Sequence, residues 1–137
     1  MSNIHTIINR LNNKDLGILL IRIAIGAVFV HAGWLKIQMM DAVVNGFTSS
    51  GIPAALAYFV TYVELIGGAA LILGVFVRYT GVLLAIIMLV AIGKVHISNG
   101  FGLQNGGYEY VFVLLLSSLA LVTLGAGAYS LGRLFKR

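Results

Sequence analysis

Residues 16–35 read LGILLIRIAIGAVFVHAGWL, twenty positions that carry one charge, Arg22. A helix crossing the hydrocarbon core of a bilayer needs about 20 mostly apolar residues, and this run supplies them. It is expected to be a retained span rather than a leader: it is long, contains Arg22, and no small-residue cleavage site follows. Three further runs of the same character occupy 54–77, 80–97 and 108–125. The pattern predicts an all-α integral membrane protein, a four-helix bundle, with residues 1–137 as a single domain.

Composition agrees. Apolar residues make up 60% of the 137, charged residues 9%, and the mean hydropathy is +1.02. A soluble domain carries roughly 25% charged residues, so this chain cannot build a surface that faces water throughout. Cysteine is absent, which excludes disulfides, thiolate metal sites, Fe–S clusters and thiol redox chemistry on this polypeptide.

A net charge of +5 would suit nucleic acid if the cations clustered, but they do not. Arg10 and Lys14 precede the first run, Arg78 separates the second from the third, and Arg133, Lys136 and Arg137 close the chain. This alternation is the positive-inside pattern. It predicts both termini on the cytoplasmic side of a bacterial-type inner membrane, and no nucleic-acid partner. Arg78-Tyr79-Thr80 reads as the cytoplasmic turn between the second and third spans.

The flanks carry shorter features. Ile4, Ile7, Ile8 and Leu11 recur at helical spacing, which predicts an amphipathic helix lying on the cytoplasmic interface. The mixed stretch 38–53 predicts a second interfacial helix on the outer side, with Ser50 capping the next span and Pro53 in that span's first turn. Residues 98–107, rich in Gly, Asn and Gln, read as an outer loop that is either a connector or the roof of a site. A faint repeat, Gly17-Ile18-Leu19-Leu20 against Gly81-Val82-Leu83-Leu84, is of the kind that low-complexity membrane sequence produces by chance.

Ionisable residues at membrane depth are the informative ones, because a lone charge there costs roughly 2.5–3.5 kcal/mol on insertion scales. They are Arg22, His31, Glu64, Lys94, His96 and Glu109. Depth counting at about 1.5 Å per residue puts Arg22 and Glu64 within reach of one another, so a buried Arg22–Glu64 ion pair is expected. Such a pair serves packing as readily as chemistry. A second group gathers at the outer helix ends: His31, Trp34, Lys36, Lys94, His96, Tyr108, Glu109 and Tyr110. Trp and Tyr anchor at interfaces and Lys snorkels, which accounts for Trp34, Lys36 and one tyrosine. His31 and Glu109 are candidate proton-exchange groups, and His31, Trp34, Lys94, His96, Glu109 and Tyr110 are candidate ligand contacts. At about 100° per residue, Arg22 and His31 fall half a turn apart and cannot line one narrow pocket. His5, His31 and His96 lack metal-ligand spacing, so no metal site is expected. No self-contained catalytic motif is present.

Several short runs, taken in order, resemble the DoxX family of small bacterial and archaeal membrane proteins. They are Leu20 to Gly26, His31-Ala32-Gly33-Trp34-Leu35-Lys36, Gly51-Ile52-Pro53, Glu64-Leu65-Ile66-Gly67-Gly68, and Leu73 to Arg78. His96 with Asn99-Gly100-Phe101, Gly106-Gly107-Tyr108-Glu109-Tyr110, Gly125-Ala126-Gly127 and Ser130-Leu131 complete the series. The resemblance implies a four-helix membrane bundle and an association with quinone-linked oxidation, the name deriving from a subunit of a thiosulfate:quinone oxidoreductase. Its recurrent polar positions fall on Arg22, His31, Trp34, Lys36, Glu64, Arg78, His96, Glu109 and Tyr110. Without cysteine, a thiol-borne sulfur transfer is disfavoured.

The expectation is a membrane subunit of a redox-active complex that binds a quinone or another lipophilic molecule near the outer face, with no covalent cofactor. Electrons would come from a partner, since nothing in the chain holds them. Alternatives are a non-catalytic accessory subunit packed on a larger membrane complex, or, less favoured, a small transporter. Expected partners are the lipid bilayer together with complex subunits or further copies of the chain.

Overall fold

The computed structural model describes residues 2–135; Lys136 and Arg137, counted above among the cytoplasmic cations, lie outside the described residues. Six α-helices follow one another: α1 (Ser2–Arg10), α2 (Lys14–Gln38), α3 (Met40–Ser49), α4 (Ala54–Leu73), α5 (Val77–Ala91) and α6 (Glu109–Leu124). No strand occurs among the described residues. Helix α5 continues through a π turn (Ile92–His96) and a 3₁₀ turn (Ile97–Asn99). Three helices are long and apolar enough to cross a membrane: α2, α4, and α5 with its extension to Asn99. Helix α6 is apolar but has 16 residues, about 24 Å at 1.5 Å per residue against a core of about 30 Å.

Glycine decides how the helices meet. Between helices in lipid there is little hydrophobic driving force, so close backbone approach and van der Waals contact hold them together. Helix α2 lies antiparallel on α4 in this way. A Cβ on Gly26 would fall 2.6 Å from the Gly68 carbonyl oxygen, one on Gly68 would fall 2.6 Å from that of Gly26, and one on Gly33 would fall 2.7 Å from the Leu65 nitrogen. Helices α5 and α6 form a second close pair, where a Cβ on Gly81 would sit 2.8 Å from Val122 Cγ2. The two pairs meet along α4–α5, with a lesser contact between α2 and α6. Phe29, Leu71, Leu84 and Leu121 fill the space between them.

The turn between α4 and α5 differs from the sequence reading. The second span stops at Leu73 rather than Val77, and Arg78, Tyr79 and Thr80 belong to the first turn of α5. Gly74 adopts a left-handed conformation (φ 77°) and its N–H returns to the carbonyls of Ala70 and Leu71, which ends the helix in the manner favoured by glycine. Val75 also bonds back to Ala70, and Phe76 (φ 50°) completes the reversal.

The two flanking helices are present, as α1 and α3. Ser50 closes α3 instead of capping α4. The chain then turns at Gly51 (φ 81°), Ile52 bonds back to Phe47, and Pro53 immediately precedes α4.

Candidate functional site

Arg22 and Glu64 are both fully buried, but not with each other. The Arg22 guanidinium donates to four backbone carbonyls: Leu71 (2.9 Å), Ile72 (3.1 Å), Ala126 (2.7 Å) and Tyr129 (2.8 Å). Leu71 and Ile72 lie in the last turn of α4, where carbonyls run out of helical donors and the helix dipole is negative. Ala126 and Tyr129 belong to the irregular segment after α6. Arg22 is thus a staple joining α2, the end of α4 and the C-terminal segment, and the expected Arg22–Glu64 pair is corrected. Helix register supplies the reason. Gly26 faces Gly68, so four residues earlier Arg22 faces Ile72. Glu64 lies seven residues before Leu71, about 10 Å along the axis, and the nearer carbonyls take the guanidinium.

Glu64 is paired with Lys36. The ammonium donates to both carboxylate oxygens, at 2.9 Å to Oε1 and 2.7 Å to Oε2. The Glu64 side chain is 1% exposed and the Lys36 side chain 30%. The same register that carries Arg22 away brings Lys36 in, since Gly33 faces Leu65 and Lys36 follows three residues later. Tyr110, the second residue of α6, lies in the neighbourhood of Glu64, and no hydrogen bond joins it to Glu64 or Lys36 among the described residues. Helices α2 and α4 therefore contribute one polar centre in the interior, away from the end of the bundle that Arg22 ties.

Sequence reasoning treated Lys36 as a snorkelling residue. A signal for its inward aim was available: Lys36 lies on the stripe of Gly33, Phe29, Gly26 and Arg22, within about 40° of Arg22 after fourteen residues at 100° each.

The other outer residues do not converge on this centre. His31 and Trp34 are exposed, on the face of α2 turned away from the interior. Lys94 is exposed on the π turn, and Tyr110 is about half exposed. His96 and Glu109 brace the loop between α5 and α6. His96 Nδ1 lies 2.9 Å from the Gly106 carbonyl, which only accepts, so this nitrogen carries a proton. Glu109 Oε2 accepts the Leu103 N–H at 3.0 Å. No hydrogen bond or ion pair joins His31, Lys94, His96 and Glu109 to one another among the described residues.

The loop between α5 and α6 is well tied. Tyr108 and Glu109 N–H groups bond to the carbonyls of Gly100 and Phe101, and Phe101, Tyr108 and Phe112 pack edge to face. Gly107 sits where any side chain would strike the Gly100 and Gly102 carbonyls.

One apolar cleft of about 490 Å³ runs along the α4–α5 seam, between Phe59 and Tyr62 at one end and Phe76 at the other, with Gly67 and Thr80 in its floor. No group of three or more His, Cys, Asp or Glu residues able to hold a metal occurs among the described residues.

A small membrane protein of several apolar helices, with its few buried charges turned inward, is the class that this fold and interior define. The DoxX family model matches residues 17–97, and the chain belongs to that family. It is 35% identical over 112 residues to a Bacillus subtilis (strain 168) protein named "Putative oxidoreductase CatD", covering 82% of this chain and 81% of that one. It is 27% identical over 124 residues to the Escherichia coli (strain K12) inner membrane protein YqjF, covering 90% and 95%. No solved structure matches the chain.

Proposed function

We propose that the chain is a membrane subunit of a redox-active complex and that its polar centre, Lys36–Glu64 with Tyr110, receives the headgroup of a quinone or a similar lipophilic molecule from the outer half of the bilayer. The observation that carries this reading is the asymmetry of the pair: a buried carboxylate bound by a lysine that is itself 30% exposed. An ammonium has three donors. Two go to Glu64, and the third is left for a ligand.

The residues fit such a molecule. Ring carbonyls need donors, and Lys36 and Tyr110 supply them at the edge of the bundle. The apolar cleft between α4 and α5 is lined by none of these residues, so the hydrocarbon tail is left to the surrounding lipid. A quinone, when bound, supplies the electron- and proton-carrying chemistry. Within this chain, Lys36 and Tyr110 orient the carbonyls and Glu64 fixes the lysine. In this reading, four helices cross a bacterial inner membrane with both termini cytoplasmic and α6 is the short fourth span. The names of the Bacillus and Escherichia relatives agree with an oxidoreductase association and an inner-membrane location. Partner subunits or further copies of the chain deliver electrons.

The accessory-subunit reading keeps the small size of the chain and the structural role of Arg22 in its favour, while Gly26, Gly33, Gly68 and Gly81 are used inside the molecule by α2 against α4 and α5 against α6. The test is a mild-detergent purification of the tagged chain with extraction and quantification of bound quinone. Near-stoichiometric quinone that falls in Lys36→Met and Tyr110→Phe supports the proposal. Loss instead in His31→Ala and Glu109→Gln would move the headgroup to the outer loop. A stable partner complex with no quinone in any variant would favour the accessory role.

A further inference from the structure

Helix α1 poses a problem of its own. Every described side chain from Asn3 to Leu11 is exposed. Ile4, Ile7, Ile8 and Leu11, each more than half exposed, fall within one arc of about 100°. A nine-residue helix is marginal in water without tertiary packing, so this apolar face needs a cover. Only Leu11, Asn12 and Asn13 separate α1 from the start of α2, and α2 is an apolar helix of membrane-crossing length. Three residues reach at most about 10 Å. The membrane surface is therefore within reach of α1 wherever the linker points.

Charge indicates which surface it meets. Arg10 lies about 60° from Ile7, on the margin of the apolar arc, where a guanidinium meets lipid phosphates while the isoleucines enter the acyl boundary. Arg22 links α2 to Leu71, Ile72, Ala126 and Tyr129, so the start of α2, the α4–α5 turn and the segment after α6 share one end of the molecule. That end is a tied platform. Asp15 Oδ1 accepts the Ala128 N–H and Asn13 Nδ2 donates to the Tyr129 hydroxyl. Its exposed cations among the described residues are Arg10, Lys14, Arg78 and Arg133, and Asp15, its acid, is already occupied. Of the other acids, Asp41 and Glu109 belong to the opposite end, and Glu64 lies at the middle of α4, bound by Lys36.

We propose that α1 and this basic rim form a docking surface for anionic phospholipid, with α1 lying flat in the headgroup boundary and Arg10 and Lys14 on the lipid phosphates. Docking then depends on the anionic lipid content of that leaflet, each basic residue adding about fivefold to the preference for the docked position.

The chain has no cysteine, so Ile4→Cys carries a single environment-sensitive fluorophore on the full-length protein without other changes. The protein is reconstituted into bilayers of phosphatidylcholine alone or mixed with phosphatidylglycerol. The expected result is blue-shifted emission, quenched by lipid-borne quencher, in the phosphatidylglycerol bilayers. It returns toward aqueous values in phosphatidylcholine, or at about 1 M salt, where the Debye length is about 3 Å. Arg10→Gln with Lys14→Gln should lower the docked-to-free ratio roughly 25-fold in phosphatidylglycerol. Identical emission in the two bilayers, or aqueous emission in both, overturns the proposal. So does a blue shift that grows only with protein-to-lipid ratio, which would make a second copy the cover.

Discussion

Arg22 and Lys36 stand fourteen residues apart on one stripe of α2, and the interior treats them in opposite ways. Arg22 has no carboxylate and is held by four carbonyls drawn from two pieces of chain. Lys36 has a carboxylate and keeps part of its side chain exposed. A planar guanidinium with five fixed donors suits a set of fixed acceptors, whereas an ammonium on a flexible stem suits an exchangeable contact. Inside a membrane both arrangements satisfy a charge and each leaves one N–H over, but only Lys36 carries its spare donor on a side chain that is 30% exposed. The comparison teaches that burial of a charge does not identify a site; what separates the two cations is that the spare donor of Lys36 is accessible.

The largest effect is expected at the staple. Arg22→Met strips four carbonyls of a donor, and at about 1–3 kcal/mol for each buried group left unsatisfied, with relaxation recovering part, a loss of roughly 4 kcal/mol should appear as a sharply lowered thermal unfolding midpoint in detergent. A midpoint near wild type would show that the staple is dispensable. At the polar centre, Lys36→Met leaves Glu64 buried without a partner and should cost about 3 kcal/mol, the low end for a broken buried pair because Lys36 is 30% exposed. Adding Glu64→Gln should return much of that loss. A double variant as unstable as the sum of the single ones would break the contrast between exchangeable pair and rigid staple.

The helix contact that sets both registers is tested by Gly68→Ala, whose methyl would meet the Gly26 carbonyl and Val30. Overpacking costs about 1–3 kcal/mol, and the variant should weaken α2–α4 packing, read as faster protease cleavage in detergent. The smallest effect belongs to the outer loop. His96→Ala removes one contact to Gly106 and should cost about 1 kcal/mol, while leaving the content of any bound lipophilic molecule unchanged. A loss of that molecule in His96→Ala would extend the site to the loop.

Much of the fold was legible from hydropathy because a bilayer imposes length on its helices. The runs at 16–35 and 54–77 contain α2 and α4 to within a few residues, and the isoleucine spacing in α1 was sufficient to predict its helix. The stop at Leu73 was missed since Val75, Phe76 and Val77 prolong the apolar run past a left-handed glycine that hydropathy does not register. The π turn at Ile92–His96 left no mark either, being a matter of hydrogen-bond pattern rather than composition. The importance of Arg22 and Glu64 was legible from their depth. Their partners were not, because pairing depends on the register between two helices, and a shift of a few residues moves a side chain by more than its own reach. Gly26, Gly33 and Gly68 fix that register, and it becomes apparent only when the two helices are laid together.

The uneven use of glycine has a mechanical consequence. Helices α2 and α4 touch backbone to backbone at Gly26 and Gly68, and α5 meets α6 closely at Gly81, whereas the α4–α5 seam holds a cleft of about 490 Å³. Each pair therefore moves as one stiff beam, and the compliant joint is the seam. Arg22 ties the beam of α2 and α4 to the segment that follows α6, which pins one end of that joint. The molecule has the build of a hinge tied at its basic end, where any parting of the two beams would open the α4–α5 seam away from Arg22.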